Sequence, residues 1–276
     1  MSTTSHITPA APIGVFDSGV GGLTVAREIM RQMPGESIVY FGDTARVPYG
    51  SKSQNTIITF SRQIVKFLQT HHVKAIVIAC NTASALALET ISAESDIPVI
   101  GVVEPGAHAA AMATKNHRIG VIGTEATINS GLYSKLLHTS FPDVEVFSKA
   151  CPLFCPLVEE GLLYDSVTIE IADRYLSELT GYGIDALILG CTHYPLIRHT
   201  IQKVVGDRVQ LINPAYETAK ALEKVLEDHW LKAPCGDHPV EHSFYVSDGA
   251  EKFKAFASSI LPVDHLDISV VNIEQY

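Results

Sequence analysis

Two short stretches of the chain share nearly the same pattern. Residues 75–82 read AIVIACNT, and residues 186–193 read ALILGCTH. Each is a continuous apolar run that ends in a cysteine followed by small polar residues. Such a run, bounded by turn residues, is typical of a strand buried on both faces of a parallel sheet. Ligands of α/β folds bind at the carboxyl ends of such strands, so we expect a site with one thiol on each side of a substrate.

Short apolar runs alternate with longer segments of helical periodicity along the chain. The predicted strands are residues 13–17, 37–41, 75–80, 98–103, 118–122, 144–149, 186–190, 209–212 and 243–247. The predicted helices are residues 22–33, 53–71, 83–93, 106–115, 126–139, 167–180, 196–205, 215–230 and 250–259. This alternation predicts βαβ units with parallel sheets, and therefore an α/β fold.

The near-repeat predicts two similar α/β lobes that face each other. Loop residues near Glu104–Pro105 and Asn213–Pro214 suggest the boundaries. The first lobe is then 1–104 plus 215–276, and the second is 105–214. The polar residues 1–12 are predicted to be a frayed tail.

Composition excludes several classes of protein. A length of 276 residues favours two domains, and a net charge of −10 argues against nucleic acid as a ligand. The sequence has no apolar run long enough to span a membrane and no signal-peptide pattern. Five cysteines, an odd number, fit reduced thiols better than a disulfide framework. We therefore expect a cytoplasmic protein that binds no membrane.

The first predicted strand leads directly into DSGVGGL, residues 17–23. Glycines there allow close backbone approach, and the free N–H groups at a helix start can hold an anion such as a carboxylate. The alternative is a tight strand-to-helix turn capped by Asp17 or Ser18. Neither the dinucleotide-binding glycine pattern nor a Walker loop is present.

The cysteines divide into two groups. Cys80 and Cys191 end predicted strands and precede hydrogen-bonding residues, where a thiolate can be stabilised. Cys151, Cys155 and Cys235 are interpreted as small core residues, because the C-x₃-C spacing of the first two is weak evidence for a metal.

Three further positions are candidates for the site. His193 follows Cys191 by two residues, so both side chains point to the same side of an extended chain. It is a candidate to exchange a proton with a ligand or to tune the thiol. A zinc site of Cys80, Cys191 and His193 is an alternative. Glu159 is a candidate for a partly buried carboxylate facing the cleft, and the loop at Tyr49 and Gly50 is either part of the site or a simple turn.

Taken together, these motifs resemble the glutamate racemases of the aspartate/glutamate racemase superfamily. The resemblance covers nearly the whole chain. It rests on FDSGVGGLTV (16–25), YFGDTARVPYG (40–50), ACNTASA (79–85), CPLFCPLVEEG (151–161), GCTHYPLI (190–197) and SDGAEKF (247–253). Cys155 departs from the family pattern, which more often has an aliphatic residue there, and is not expected to touch the chemistry.

The resemblance implies two flavodoxin-like lobes with the active site in the cleft between them. It implies interconversion of L- and D-glutamate without a cofactor or metal, supplying D-glutamate for peptidoglycan. Cys80 would take the α-proton from D-glutamate and Cys191 from L-glutamate, with Asp17, His193 and Glu159 assisting. The implied substrate-binding residues are Asp17, Ser18, Tyr49, Gly50, Asn81, Thr82, Thr192 and His193.

The residues alone leave other functions open. One is a different amino-acid substrate of the same superfamily, such as aspartate, because a pocket discriminates weakly against a difference of one methylene. Another is a hydrolase, either of the haloacid dehalogenase type, for which Gly19 stands where a second Asp is needed, or with a Cys191–His193 pair. A third is a binding or regulatory protein, since some glutamate racemases bind DNA gyrase. A monomer and a homodimer are both compatible with the sequence, and a cell-wall precursor is a candidate activator.

Overall fold

The computed structural model describes residues 7–234, 236, 239–263 and 266–276. Its strands are β1 (Ile13–Asp17), β2 (Ile38–Gly42), β3 (Ala75–Ile78), β4 (Val99–Gly101), β5 (Arg118–Gly123), β6 (Glu145–Ala150), β7 (Ala186–Gly190), β8 (Gln210–Ile212), β9 (His242–Val246) and β10 (Ile268–Val270). Its α-helices are α1 (Leu23–Gln32), α2 (Gln54–Thr70), α3 (Asn81–Glu94), α4 (Val103–Ala113), α5 (Glu125–Asn129), α6 (Leu132–Ser140), α7 (Phe154–Glu159), α8 (Ser166–Gly181), α9 (Arg198–Val205), α10 (Pro214–Asp228) and α11 (Ala250–Ile260). Short 3₁₀ segments lie at Thr44–Arg46, Tyr49–Ser51, Tyr194–Ile197 and Ile273–Gln275.

The strands form two sheets in which every pairing is parallel. The first has the order β10-β9-β2-β1-β3-β4, and the second has the order β6-β5-β7-β8. Four strands of the first sheet, β2-β1-β3-β4, therefore repeat the order of the whole second sheet. This is the order of flavodoxin-like folds. The predicted α/β fold of two pseudo-symmetric lobes with parallel sheets is confirmed.

The two apolar runs that end in cysteine occupy equivalent strands. They are β3 and β7, each between the first strand of its lobe and an edge strand. Every residue from Ala75 to Ile78 and from Ala186 to Leu189 is completely buried. Burial on both faces explains why these strands are uninterrupted apolar runs rather than alternating ones.

Helices cover both faces of each sheet. In the first lobe, α1, α10 and α11 pack on one face, and α2 and α3 pack on the other. In the second lobe, α7, α8 and α9 cover one face, and α4 and α6 cover the other. The predicted boundaries near residues 104 and 214 stay predictions. The helices that start closest to them are α4, which packs on the second sheet, and α10, which packs on α1 and α4.

Some predicted elements have different limits in the structure. The helix predicted over 126–139 is divided into α5 and α6, because Gly131 adopts a left-handed φ of 66° that no helix accommodates. The helix predicted over 106–115 begins at Val103, since Pro105 is tolerated in a first helical turn. Helix α7 and strand β10 were not predicted, because both are too short for their periodicity to be read.

The predicted tail falls only partly within the described residues. Residues 1–6 lie outside them, whereas the carbonyls of Pro9 and Pro12 accept hydrogen bonds from Lys74. Lys74 also forms a buried ion pair with Glu36, with Nζ 2.5 Å from Oε2. Cys235, interpreted as a core residue, lies outside the described residues as well.

Across the described ranges, no helix is both long enough and apolar enough to cross a membrane.

Candidate active site

The point where strand order reverses lies at the same place in both lobes. In the first lobe it falls between β1 and β3, and in the second between β5 and β7. The carboxyl ends of strands at such a point form a crevice that binds ligands in doubly wound folds. Here a cavity of about 230 Å³ lies between the two lobes at these ends. Its lining includes Ser18, Val47, Pro48, Tyr49, Gly50, Ser51, Cys80, Asn81, Thr82, Thr124, Glu125, Pro152, Cys155, Pro156, Glu159, Cys191, Thr192 and His193.

Every residue predicted for the site lines this cavity except Asp17. Asp17 is completely buried. Its Oδ2 accepts a hydrogen bond from the Gly19 N–H at 3.0 Å, and its Oδ1 accepts one from the Thr192 hydroxyl at 3.4 Å. Burial raises the pKa of Asp17, although the nearby His193 opposes this shift. Asp17 therefore lies behind the cavity wall and contacts the wall residue Thr192.

Cys80 is the N-cap residue of α3. Its Sγ accepts a hydrogen bond from the Ala83 N–H at 3.5 Å and lies 3.7 Å from the Ser18 hydroxyl. This cap explains why α3 starts at Asn81, two residues before the predicted start. Burial and the carboxylate of Asp17 raise the pKa of Cys80 to about 12, against the lowering effect of its hydrogen-bond donors. Without a ligand, Cys80 is therefore a thiol at neutral pH.

Cys191 follows β7 and contacts a second thiol. Its Sγ lies 3.5 Å from Cys155 Sγ and 3.8 Å from His193 Nδ1. The contact with Cys155 and burial raise the pKa of Cys191 well above that of an ordinary thiol, while His193 opposes the rise. Cys155, which was expected to be a small core residue away from the site, does pack against the core, but it is only half-buried and also lines the cavity. Cys151 is completely buried, as expected.

His193 is held between a thiol and a carboxylate. Its Nε2 lies 2.9 Å from Glu159 Oε1, at the end of α7. Burial alone would lower the pKa of His193, but its contacts with Cys191 and Glu159 outweigh burial and raise this pKa to about 10. Conversely, the hydrogen bond to His193 lowers the pKa of Glu159. An imidazolium paired with a carboxylate therefore stands beside Cys191 at neutral pH.

Hydrogen bonds join the two lobes around the cavity. Tyr133 donates to Asn81 Oδ1 at 2.7 Å, and the hydroxyls of Thr82 and Thr124 are 2.9 Å apart. The Thr24 hydroxyl donates to the Thr192 carbonyl at 3.1 Å. These contacts orient Asn81, Thr82 and Thr192 from the opposite lobe.

Two glycines allow the lobes to approach this closely. A Cβ atom on Gly21 would lie 2.3 Å from Thr192 Oγ1 and 2.6 Å from His193 Nδ1. A Cβ atom on Gly50 would lie 2.8 Å from Thr124 Cβ. The glycine loop was predicted to allow close approach of the backbone to a ligand. In the structure, its Gly21 also allows close approach to the facing lobe.

The Tyr49 loop lines the cavity, but the Tyr49 hydroxyl is engaged by another residue of its own lobe. Tyr49 is buried, and its hydroxyl donates to Asp43 Oδ2. Tyr49 and the neighbouring Gly50 line the cavity.

Sequence reasoning missed several residues of the wall. They are Val47, Pro48, Ser51, Thr124, Glu125, Pro152, Cys155 and Pro156. Thr124 directly follows β5, as Ser18 follows β1. The equivalence of the two lobes was the signal that could have identified it.

The donor atoms that could hold a metal differ from the predicted set. Cys155 Sγ, Cys191 Sγ and a ring nitrogen of His193 all lie within 4.8 Å of one another. The cluster contains Cys155 in place of the predicted Cys80.

Comparisons with known proteins agree with this geometry. Residues 13–222 match the family model described as Asp/Glu/Hydantoin racemase. The chain is 46% identical over 266 residues to a glutamate racemase of Geobacter metallireducens, covering 96% of this chain and 98% of the relative.

Two solved structures are also similar. Glutamate racemase from Francisella tularensis in complex with D-glutamate has a TM-score of 0.89 and 41% identity, covering 97% of this chain and 100% of that one. Escherichia coli glutamate racemase in complex with L-glutamate and the activator UDP-MurNAc-Ala has a TM-score of 0.78 and 26% identity, covering 94% and 98% of the two chains.

Proposed function

Because the chain belongs to the Asp/Glu/Hydantoin racemase family and is an amino-acid racemase, we propose that it interconverts L-glutamate and D-glutamate without a cofactor. The names of its relatives support glutamate as the substrate. The family itself excludes the hydrolase alternatives. Aspartate stays the competing substrate, to be separated by assay.

One observation carries the proposed mechanism: in each lobe, the cysteine at the end of the equivalent buried strand lines the same cavity. Cys80 follows β3 of the first sheet, and Cys191 follows β7 of the second. Racemisation needs a base on one face of the α-carbon and an acid on the other, with the roles exchanged for the reverse direction. Two thiols meet this need when one is ionised and the other is not.

The ionised thiol forms with substrate bound. Both thiols have raised pKa values in the free protein, so neither is a ready base there. A bound amino acid brings an α-ammonium group, and a positive charge nearby favours a thiolate. In our account Cys80 then removes the α-proton of D-glutamate, and Cys191 donates a proton to the opposite face. The reverse reaction starts at Cys191 with L-glutamate.

The carbanion formed at the α-carbon passes charge into the α-carboxylate. Fixed donors must stabilise that charge, because no electron-accepting ring is bound to the substrate. We assign this role to the hydroxyls and amides of Ser18, Asn81, Thr82 and Thr192, together with the free N–H groups at the start of α3. The cavity wall contains no lysine within the described part of the chain, so none of these residues offers an amine for a Schiff base.

His193, Glu159 and Asp17 position and tune the two thiols. The imidazolium of His193 favours a thiolate at Cys191, and Glu159 keeps the imidazole protonated. Asp17 has the opposite effect on Cys80, since its negative charge keeps that thiol protonated. The two cysteines thus have unequal environments, which suits a pair that starts with one acid and one base.

We further propose that the product D-glutamate supplies peptidoglycan synthesis in the cytoplasm. Activation by a cell-wall precursor is part of this proposal, and its support is the E. coli enzyme solved with UDP-MurNAc-Ala. The alternatives of a monomer and a homodimer stay predictions, and so does binding to DNA gyrase.

A circular dichroism time course tests the function directly. Purified protein is incubated separately with L- and D-glutamate and with L- and D-aspartate, with no cofactor added. The ellipticity of both glutamate solutions should decay to zero, and the aspartate solutions should change far more slowly. Faster decay with aspartate, or no decay with either amino acid, would contradict the proposal.

The Glu159–His193 pair predicts a specific pH dependence. Because the pKa of His193 is raised to about 10, the imidazolium persists at neutral pH and is lost as pH rises through that value. Glu159→Gln removes the partner charge, so the pKa of His193 falls and the proton is lost at lower pH. We expect the alkaline limb of the kcat/KM profile to move to lower pH and activity at neutral pH to fall about 10-fold, as for a charge-assisted hydrogen bond of about 1.5 kcal/mol.

The adjacent carboxylate gives a matched control. Glu160 is exposed and lies 3.7 Å from Lys252, away from the imidazole. Glu160→Gln should leave the pH profile unchanged. An unchanged profile in Glu159→Gln as well would remove Glu159 from the account.

A further inference from the structure

Two thiols and an imidazole meet in one wall of the cavity. Cys155 Sγ lies 3.5 Å from Cys191 Sγ, which in turn lies 3.8 Å from His193 Nδ1. Racemisation by Cys80 and Cys191 gives Cys155 no role. We propose that Cys155, Cys191 and His193 bind a thiophilic divalent cation such as Zn²⁺, and that this metal blocks racemisation.

The distances fit a tetrahedral zinc ion. Zinc lies about 2.3 Å from thiolate sulfur and about 2.0–2.1 Å from imidazole nitrogen. At tetrahedral angles these bond lengths place two sulfurs about 3.8 Å apart and a sulfur and a nitrogen about 3.6 Å apart. The observed 3.5 Å and 3.8 Å differ from these separations by a few tenths of an ångström. The third separation, between Cys155 Sγ and a ring nitrogen of His193, is at most 4.8 Å, so side-chain movements of about 1 Å or less would admit the ion.

Glu159 supplies an independent feature of a zinc site. A histidine that ligates zinc usually donates its second ring N–H to a carboxylate, which fixes the tautomer and the ring orientation. Here Nε2 of His193 is paired with Glu159 Oε1 at 2.9 Å, and Nδ1 faces Cys191. The ring nitrogen needed for the metal is thus the one that faces the Cys191 thiol.

The cluster is accessible from the cavity. All three ligand residues and Glu159 line it, and Cys155 is only half-buried. Three protein ligands leave the fourth zinc position open, as in Cys₂His catalytic zinc sites. Water or a carboxylate of the substrate would occupy that position.

Metal binding and racemisation compete for the same sulfur. A Cys191 thiolate bound to zinc has no free lone pair at the position from which it would take the α-proton, and no proton to return. This inhibitory half of the proposal rests on the proposed function. The binding half rests only on the ligand geometry, so the two can fail separately.

Binding is tested with Cd²⁺ on the full chain, under a phosphine reductant that keeps all thiols reduced. One equivalent of Cd²⁺ should produce the ultraviolet cadmium–thiolate charge-transfer band. Cys155→Val should lose most of this band and weaken Zn²⁺ binding at least 10-fold in competition with a chromophoric chelator, as expected for loss of a ligand. Cys151→Ala removes a buried thiol outside the cluster and should retain both signals.

Inhibition is tested with Zn²⁺ in the racemisation assay. Zn²⁺ should inhibit the wild type reversibly, with recovery on addition of chelator, and should inhibit Cys155→Val at least 10-fold less. An unchanged cadmium band in Cys155→Val would overturn the metal site. Full activity with the site saturated would overturn the inhibitory half and contradict the role of Cys191. Cys80→Ser should bind Cd²⁺ normally even when inactive, so a failure of racemisation alone would not affect the metal site.

Discussion

Replacing either catalytic thiol by a hydroxyl should abolish almost all racemisation. Cys80→Ser and Cys191→Ser should each lower kcat/KM at least about 10³-fold in both directions, within the range for loss of a positioned acid or base. A serine hydroxyl has nearly the shape of the thiol but ionises far less readily. Racemisation rates from L- and D-glutamate, measured by circular dichroism, check this expectation.

The matched control is another buried thiol. Cys151 is completely buried, and its Sγ–H donates to the Lys149 carbonyl. Cys151→Ser should therefore racemise at nearly the wild-type rate. Near wild-type turnover in either catalytic variant would show that the two-thiol mechanism is wrong, and a thermal melt of each variant checks that the fold is retained.

The second large effect is expected at Gly21, where the lobes touch. Gly21→Ala would place Cβ 2.3 Å from Thr192 Oγ1 and 2.6 Å from His193 Nδ1, so one lobe or both side chains must shift. Displacements of about 1 Å among catalytic groups cost on the order of 10²-fold in rate. We expect kcat/KM to fall by about that factor. The measurement is steady-state racemisation in both directions.

Gly181 offers the corresponding control. It ends α8, and a Cβ atom there would meet no other atom within 4 Å. Gly181→Ala should keep full activity. Equal activity in Gly21→Ala would mean that the contact between Gly21 and the Thr192–His193 segment does not set the geometry of the site.

The sequence predicts best those features of the fold that depend on the residue pattern of a single strand. β3 and β7 are buried on both faces, so these two strands, their burial within parallel sheets and the place of a cysteine at each carboxyl end could be predicted from their apolar runs. Gly131 shows the limit of periodicity. The apolar spacing continues through it, and only the left-handed backbone reveals the break between α5 and α6.

Contacts between residues far apart in the sequence could not be predicted in this way. Cys155 resembles an ordinary core residue in its own segment, and its importance comes from lying 3.5 Å from a thiol 36 positions away. Thr124 and Tyr133 likewise gain their roles from Thr82 and Asn81 of the other lobe. Local patterns contain no information on which surfaces of two lobes meet. The equivalence of the lobes pointed only to the strand ends.

Hydrogen exchange with solvent during turnover tests the central claim most directly. L-glutamate is incubated with the enzyme in heavy water, the reaction is stopped in its initial phase, and deuterium at the α-carbon is measured in each enantiomer. With Cys80 and Cys191 acting on opposite faces, the proton removed by one thiol is not the proton delivered by the other. Product D-glutamate should therefore carry deuterium, while the remaining L-glutamate keeps mostly protium. Product that retains the protium of the substrate would contradict two independent thiols and indicate a single base working on both faces.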